Sequence, residues 1–168
     1  MTSATITDRL VALSRALIGR IRGGLAQVNV LVSMFFAGMN GSVVADTATV
    51  GALVLPAMKK AGYPAAFSAA VTGVSSTIGG IIPPSIMMIV LANATEISIA
   101  ALFAAGIIPG ILIGVVIMVI NHYFAVKYNF ERSDEPFSVR RAGKELYRSS
   151  FALLIPLVLV GSVMGGVA

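Results

Sequence analysis

Gly38-Met39-Asn40-Gly41-Ser42-Val43-Val44-Ala45-Asp46 and Ser75-Ser76-Thr77-Ile78-Gly79-Gly80-Ile81-Ile82-Pro83-Pro84-Ser85 each break an apolar run in its middle. A simple membrane helix does not tolerate glycine, proline and polar residues clustered in this way. Such breaks free backbone carbonyls and amides that lipid cannot satisfy. Unwound backbone survives at membrane depth only where protein buries it or where it lines a cavity. Two breaks close together predict the binding site of a secondary transporter.

Working outward from the first break, residues 25–38 and 43–58 are apolar arms. Arms of about 14 and 16 residues reach only ~21–24 Å at about 1.5 Å per residue, against a hydrocarbon core of about 30 Å. They are therefore expected to form a re-entrant helical hairpin over 25–58, with its tip at Asn40 to Ser42. Around the second break, residues 64–78 and 86–94 together are long enough to cross once, giving a discontinuous transmembrane helix over 64–94. Pro83 and Pro84 lack a backbone donor, and Gly79 and Gly80 reach dihedrals closed to other residues. Asn93 to Ser98 are expected to form a short loop carrying Glu96.

Residues 97–125 read as an unbroken transmembrane helix kinked at Pro109-Gly110. Residues 127–149 are a charged cytoplasmic connector, and 150–168 begin another apolar span. At the other end, residues 5–22 place Ile6, Leu10, Leu13, Leu17 and Ile21 at steps of three and four, with Arg9, Arg15, Arg20 and Arg22 around the rest. That pattern predicts an amphipathic helix lying in the headgroup plane. The fold class that results is an all-α membrane protein.

The composition agrees. The chain is 57% hydrophobic and 11% charged, with a mean hydropathy of +0.94; soluble domains carry about 25% charge. It has no cysteine, which excludes disulfides, thiolate catalysis and sulfur-ligated metals. The net charge of +5 does not point to nucleic acid, because the basic residues flank apolar runs without aromatic interleaving or a recognition motif. Putting the first arginines in the cytoplasm and following hairpin, broken helix and long helix brings all 12 Lys and Arg to one face, as the positive-inside rule asks. Two fully spanning arms would give the same charge pattern, so arm length decides for re-entry. His122, beside Tyr123 at the end of an apolar run, reads as interfacial.

A sodium ion needs a shell of oxygens, and freed carbonyls with Ser, Thr or Asn side chains supply one. The tip offers Asn40, Gly41 and Ser42; the second break offers Ser75, Ser76 and Thr77 with carbonyls near Gly79, Ile82 and Pro83. Helix ends facing these loops add carbonyls for cations and amides for anions. Asp46 is the one carboxylate expected near membrane depth, where a charge costs ~2.5–3.5 kcal/mol on insertion scales. It either caps the second arm, whose amides begin at Thr47 and Ala48, or lends its charge to the ion site. An intramembrane aspartyl protease needs a second carboxylate, and a serine protease needs a base near Ser42; neither constellation closes, so no enzyme and no catalytic residue is expected.

Gly23-Gly24-Leu25-Ala26-Gln27-Val28-Asn29-Val30, Phe36-Ala37-Gly38, Gly41-Ser42, Ala45-Asp46, Pro56-Ala57-Met58, Ala61-Gly62-Tyr63, Ser75-Ser76-Thr77-Ile78-Gly79 and Ile81-Ile82-Pro83-Pro84-Ser85 together resemble the large membrane (permease) subunit of TRAP transporters, the tripartite ATP-independent periplasmic transporters of the DctM-like family. The resemblance covers nearly the whole chain. It implies a partial ion-transporter-type elevator fold in the bacterial inner membrane. It further implies a sodium-coupled importer of organic acids such as dicarboxylates or sialic acid, working with a small membrane subunit and a periplasmic substrate-binding protein, with no cofactor beyond sodium. Residues Asn40 to Ser42 and Gly79 to Pro83 then correspond to the first sodium site, and 5–22 to the arm helix that braces the moving part.

Two departures stand out. The family usually has Ser where this chain has Asn40, whose amide oxygen can still ligate. Against the family pattern the chain is also expected to be a fragment, without the family's first transmembrane segment and without its second half, with a second hairpin and a Thr-rich ion site. Moving a dicarboxylate inward against 100 mV costs about 4.6 kcal/mol, at ~2.3 per charge. With one ion site, the fragment alone is not expected to drive concentrative uptake. The competing reading is a membrane scaffold or assembly subunit in which both breaks are packing devices.

Overall fold

The structure, a computed structural model, describes residues 11–18, 21–130, 143, 146, 147, 154, 158–163 and 165. Every regular element among them is helical. Residues 11–18 are α1. They are followed by α2 (Gly24–Asn40), α3 (Val43–Lys60), α4 (Ala65–Ser76), a 3-10 turn (Thr77–Gly80), α5 (Ile86–Thr95) and α6 (Ile99–Lys127).

The first interruption is narrower than the sequence suggests. Gly38, Met39 and Asn40 stay helical because the Gly41 amide still donates to Ala37 O, at 3.1 Å. Gly41 itself takes φ +60°, the left-handed conformation that ends many helices and that glycine adopts without a Cβ penalty. Ser42 is extended, and its hydroxyl accepts from the Ala45 amide at 3.4 Å to restart the chain as α3. Lys59 and Lys60 close α3 where a helix C-terminus favours cations. The two arms run antiparallel, since Asn29 Nδ2 on α2 lies 3.7 Å from Met58 Sδ on α3.

In the second interruption α4 tightens into the 3-10 turn, and residues 81–85 leave the helix before α5 begins. Ser85 accepts from the Met88 amide at 3.3 Å and donates to Gly80 O at 2.8 Å, so one side chain both caps α5 and ties it to the end of the turn. The Pro83-Pro84 bond is cis. The loop expected over Asn93 to Ser98 is shorter: α5 continues to Thr95, whose hydroxyl bonds Leu91 O, and only Glu96 to Ser98 connect to α6. Ser98 caps α6, which continues unbroken through Pro109.

α2 is the hub. It packs against α3, α4, the 3-10 turn and α6, and even its polar residues Gln27, Asn29 and Ser33 are buried. Its alignment on α6 is antiparallel and in register: Arg22 Nη1 donates to Asn129 Oδ1 at 2.8 Å, Gln27 Nε2 donates to Met118 O at 2.8 Å, and Met34 rests on Gly114. At the far end, the second interruption faces Gly106 and Gly110 of α6. The hairpin tip stops there, while α5 carries on for 10 residues, about 15 Å of helix. At the near end an aromatic cluster seals the base: Tyr63 and Phe67 have ring centroids 4.6 and 5.1 Å from that of Phe130, and Phe67 lies 6.2 Å from Phe124.

α1 departs from its expected stripe. Leu13 is 1% exposed, but Leu17 and Ile21 are 41% and 42% exposed, while Ser14, Ala16 and Ile18 are buried. The segment docks on the protein core, which Ile18 joins, so the buried side is set by the neighbouring helices rather than by the apolar stripe. Residues 1–10, including Ile6 and Leu10, lie outside the described residues. So do most of the charged connector 127–149 and of the final span 150–168.

Candidate ion and substrate site

The two interruptions meet. The Ile86 amide donates to Gly41 O at 3.2 Å, and a Cβ on Gly41 would lie 2.1 Å from Pro84 O. Gly79 packs against the Ser42 backbone, and Gly80 against a methyl of Val43. Of the candidate ligands, Gly41 and Ser42 are thus brought against Gly79 and the segment that contains Ile82 and Pro83. Asn40 ends α2 beside them, half-buried. Thr77 is exposed, with its hydroxyl on Val74 O at 2.7 Å. The C-terminal ends of α2 and of the 3-10 turn, and the N-terminal ends of α3 and α5, therefore converge on one region. Carbonyl ends favour a cation and amide ends an anion.

Asp46 does not cap α3. Ser42 holds that position, and Asp46 is buried, only 1% exposed. The reason is position: Asp46 already lies within the helix, where its own amide donates to Ser42 O at 3.0 Å. Its side chain turns inward, against the hydroxyls of Ser33 on α2 and Ser76 on α4.

Behind the carboxylate lies a polar network that sequence reasoning largely missed. Asn29 Nδ2 donates to Thr72 Oγ1 at 2.7 Å, Thr72 Oγ1 to Ser68 O at 2.9 Å, and Ser76 Oγ to Thr72 O at 2.8 Å. Ser33 Oγ and Ser75 Oγ are 3.3 Å apart. All of these residues are buried. The available signal was helical spacing: Asn29 and Ser33 are four apart on α2, as are Ser68, Thr72 and Ser76 on α4. A second missed feature is the ladder Gly106, Gly110 and Gly114 on α6. Added Cβ atoms would meet Ile81 O at 2.5 Å, Ile82 Cγ1 at 2.4 Å and Met34 Sδ at 2.5 Å. Small residues every fourth position let helix backbones approach closely.

The family model for the tripartite ATP-independent periplasmic transporter, DctM component, matches residues 1–168. The chain belongs to this family. TRAP permeases are membrane transporters rather than enzymes. The chain is 37% identical to the C4-dicarboxylate TRAP transporter large permease protein DctM of Pseudomonas aeruginosa, over 99% of its own length and 39% of the relative. It is 37% identical to the sialic acid TRAP transporter permease protein SiaT of Haemophilus influenzae, over 99% of its length and 27% of the relative. With the sialic acid TRAP transporter large permease protein SiaM of Vibrio cholerae the identity is 34%, over 99% and 39%. The chain thus spans about two fifths or less of the length of these relatives.

A TRAP permease segment must meet lipid, and the surface suits that. By length and composition α6 can cross a membrane, and 28% of its most apolar stretch is buried within the protein. Ile108, Leu112, Val115, Val119 and Ile120 are exposed along it. Water-soluble monomers rarely expose a contiguous apolar face.

Proposed function

We propose that this chain forms the ion-binding part of a permease in the bacterial inner membrane that imports organic acids with sodium, together with a small membrane subunit and a periplasmic substrate-binding protein. The observation that carries the reading is the contact between the interruptions, Gly41 O to the Ile86 amide. Packing devices need only small residues. Here two pairs of helix ends are also brought together, the C-terminal ends of α2 and the 3-10 turn with the N-terminal ends of α3 and α5.

In this reading α2 and α3 enter and leave on the face that carries Arg22, Lys59, Lys60 and Lys127, while the broken helix α4–α5 and α6 cross. Sodium is held by Asn40 and Ser42 with backbone oxygens of Gly41, Gly79, Ile82 and Pro83; Ser76 and Thr77 flank it. The amide ends of α3 and α5 receive the substrate carboxylate. The relatives' names make dicarboxylates and sialic acid the substrate classes to try first. A carboxylate approaching a bound cation gains attraction that is absent without sodium, which couples the two.

The test is uptake by the reconstituted three-component transporter. Sodium should be obligatory, and Asn40→Ala with Ser42→Ala should raise the half-saturating sodium concentration at least tenfold while leaving the assembled complex intact. Uptake that is indifferent to sodium, or to both substitutions, would refute the reading.

A further inference from the structure

Two contacts set the register of α2 against α6: Met34 rests on Gly114, and Gly23 packs on Ala125. One turn onward along α2 from Gly23, and one turn back along α6 from Ala125, Gln27 comes opposite Asn121. Both are buried, each 3% exposed. Gly114, Ile117 and Ala125 are the other buried members of this stretch of α6, so the two amides face each other in a seam otherwise made of apolar and small residues. Gln27 commits its Nε2 to Met118 O at 2.8 Å. Its Oε1 has no hydrogen-bond partner among the described residues, and neither does Asn121 Nδ2. One of these atoms is an acceptor and the other a donor. They share one level of one seam and do not bond each other. Lipid offers such groups no partner, and burying them unpaired is costly.

We propose that Gln27 Oε1 and Asn121 Nδ2 hold one internal water, which donates to the first and accepts from the second. The chemistry of the pair selects the ligand. The amide hydrogens of Asn121 repel a cation, and the carbonyl oxygen of Gln27 repels an anion. A neutral molecule that both donates and accepts satisfies the two together, and water is the smallest of these. Buried waters make about three hydrogen bonds; the Met118 carbonyl, which Gln27 already reaches, lies within the same turn to take the remaining hydrogen. The water joins the base of α2 to α6 where apolar neighbours would let the two helices slide. This polar clasp fixes the level at which Gly106 and Gly110 meet the second interruption.

A density map of the complete purified permease, at a resolution that shows ordered solvent, tests the site directly. One solvent peak is expected within hydrogen-bonding distance of both Gln27 Oε1 and Asn121 Nδ2. Ordered side chains with no peak between them, or amides bonded directly to one another, would overturn the proposal. Thermal unfolding gives a second readout. Asn121→Leu leaves Gln27 Oε1 and the water unpaired, so the thermal midpoint should fall by several degrees. Asn121→Gln is one methylene longer and carries the amide across the space that the water fills. It should keep the midpoint close to the parent's while its map loses the peak. A midpoint that falls as far with Asn121→Gln as with Asn121→Leu would mean that no such space exists, and the inference fails. Gln27→Leu combined with Asn121→Leu should cost less than the two single changes added together; additive losses would show that the groups share no water. Neither residue belongs to the hairpin tip, so these outcomes leave the sodium reading to its own test.

Discussion

The amide of Ile86 donates to the carbonyl of Gly41 at 3.2 Å, a backbone bond between the first residue of α5 and the glycine that follows α2. It welds the hairpin tip to the broken helix. Because both partners are main-chain atoms, only proline at position 86, which lacks the amide hydrogen, removes the bond directly. Other substitutions disturb it by forcing the two backbones apart, which is what a Cβ at Gly41 would do.

Gly41→Ala should therefore be among the most damaging single-atom changes in the chain. The left-handed conformation costs a non-glycine residue about 1–3 kcal/mol where the surroundings enforce it, and the new methyl would also sit 2.1 Å from Pro84 O. A fall in the thermal midpoint of the purified permease by several degrees is expected. Gly73→Ala, where an added Cβ meets nothing within 4 Å, is the control and should be neutral or stabilising by up to about 1 kcal/mol.

The glycines of α6 should rank by what they face. Gly106→Ala confronts a main-chain oxygen, Ile81 O, and Gly110→Ala a side-chain carbon, Ile82 Cγ1. A side chain can turn aside more cheaply than a backbone. Thermal unfolding should show Gly106→Ala as the more destabilising of the two; the reverse order would mean that α6 is not seated on the second interruption as described.

Thr72→Val removes the acceptor for Asn29 Nδ2 and the donor to Ser68 O while keeping the side chain's shape. Leaving a buried amide donor unsatisfied costs about 1–3 kcal/mol. Chemical unfolding of the permease should register a loss in that range, and Asn29→Leu combined with Thr72→Val should cost less than the sum of the two single changes.

Single cysteines read out the proposed sidedness cleanly, since the chain has none of its own. A membrane-impermeant thiol reagent should label Glu96→Cys in intact spheroplasts, but Lys59→Cys and Lys127→Cys only after permeabilisation. Labelling of Lys59→Cys and Glu96→Cys from the same side would rule out a re-entrant hairpin followed by one crossing.

Much of this was legible in advance. Gly41-Ser42 and the Gly-Gly-Ile-Ile-Pro-Pro stretch marked where helices stop because glycine conformation and the missing proline donor act locally. Helix ends were less so: Asn40, Thr95 and Lys127 each extend a helix by about two residues or fewer beyond expectation, through bonds made by the next amide or by a cap. The role of Asp46 was not legible. Four residues after Ser42 it is compatible with a cap or with an inward charge, and only the fit of α3 against α2 and α4 turns it inward.

What the sequence alone determined is the helical character of the described residues and the positions of the two interruptions, because propensity, donor count and hydropathy belong to residues one at a time. Tertiary structure decided that the interruptions touch, that Gly106 and Gly110 let α6 close over the second of them while Gly114 receives Met34 of α2, and that Asn29, Ser33, Thr72, Ser75 and Ser76 gather around or behind Asp46. Those are relations between helices whose side chains meet only when the packing is fixed; helical spacing puts such residues on one face but does not say which face they meet.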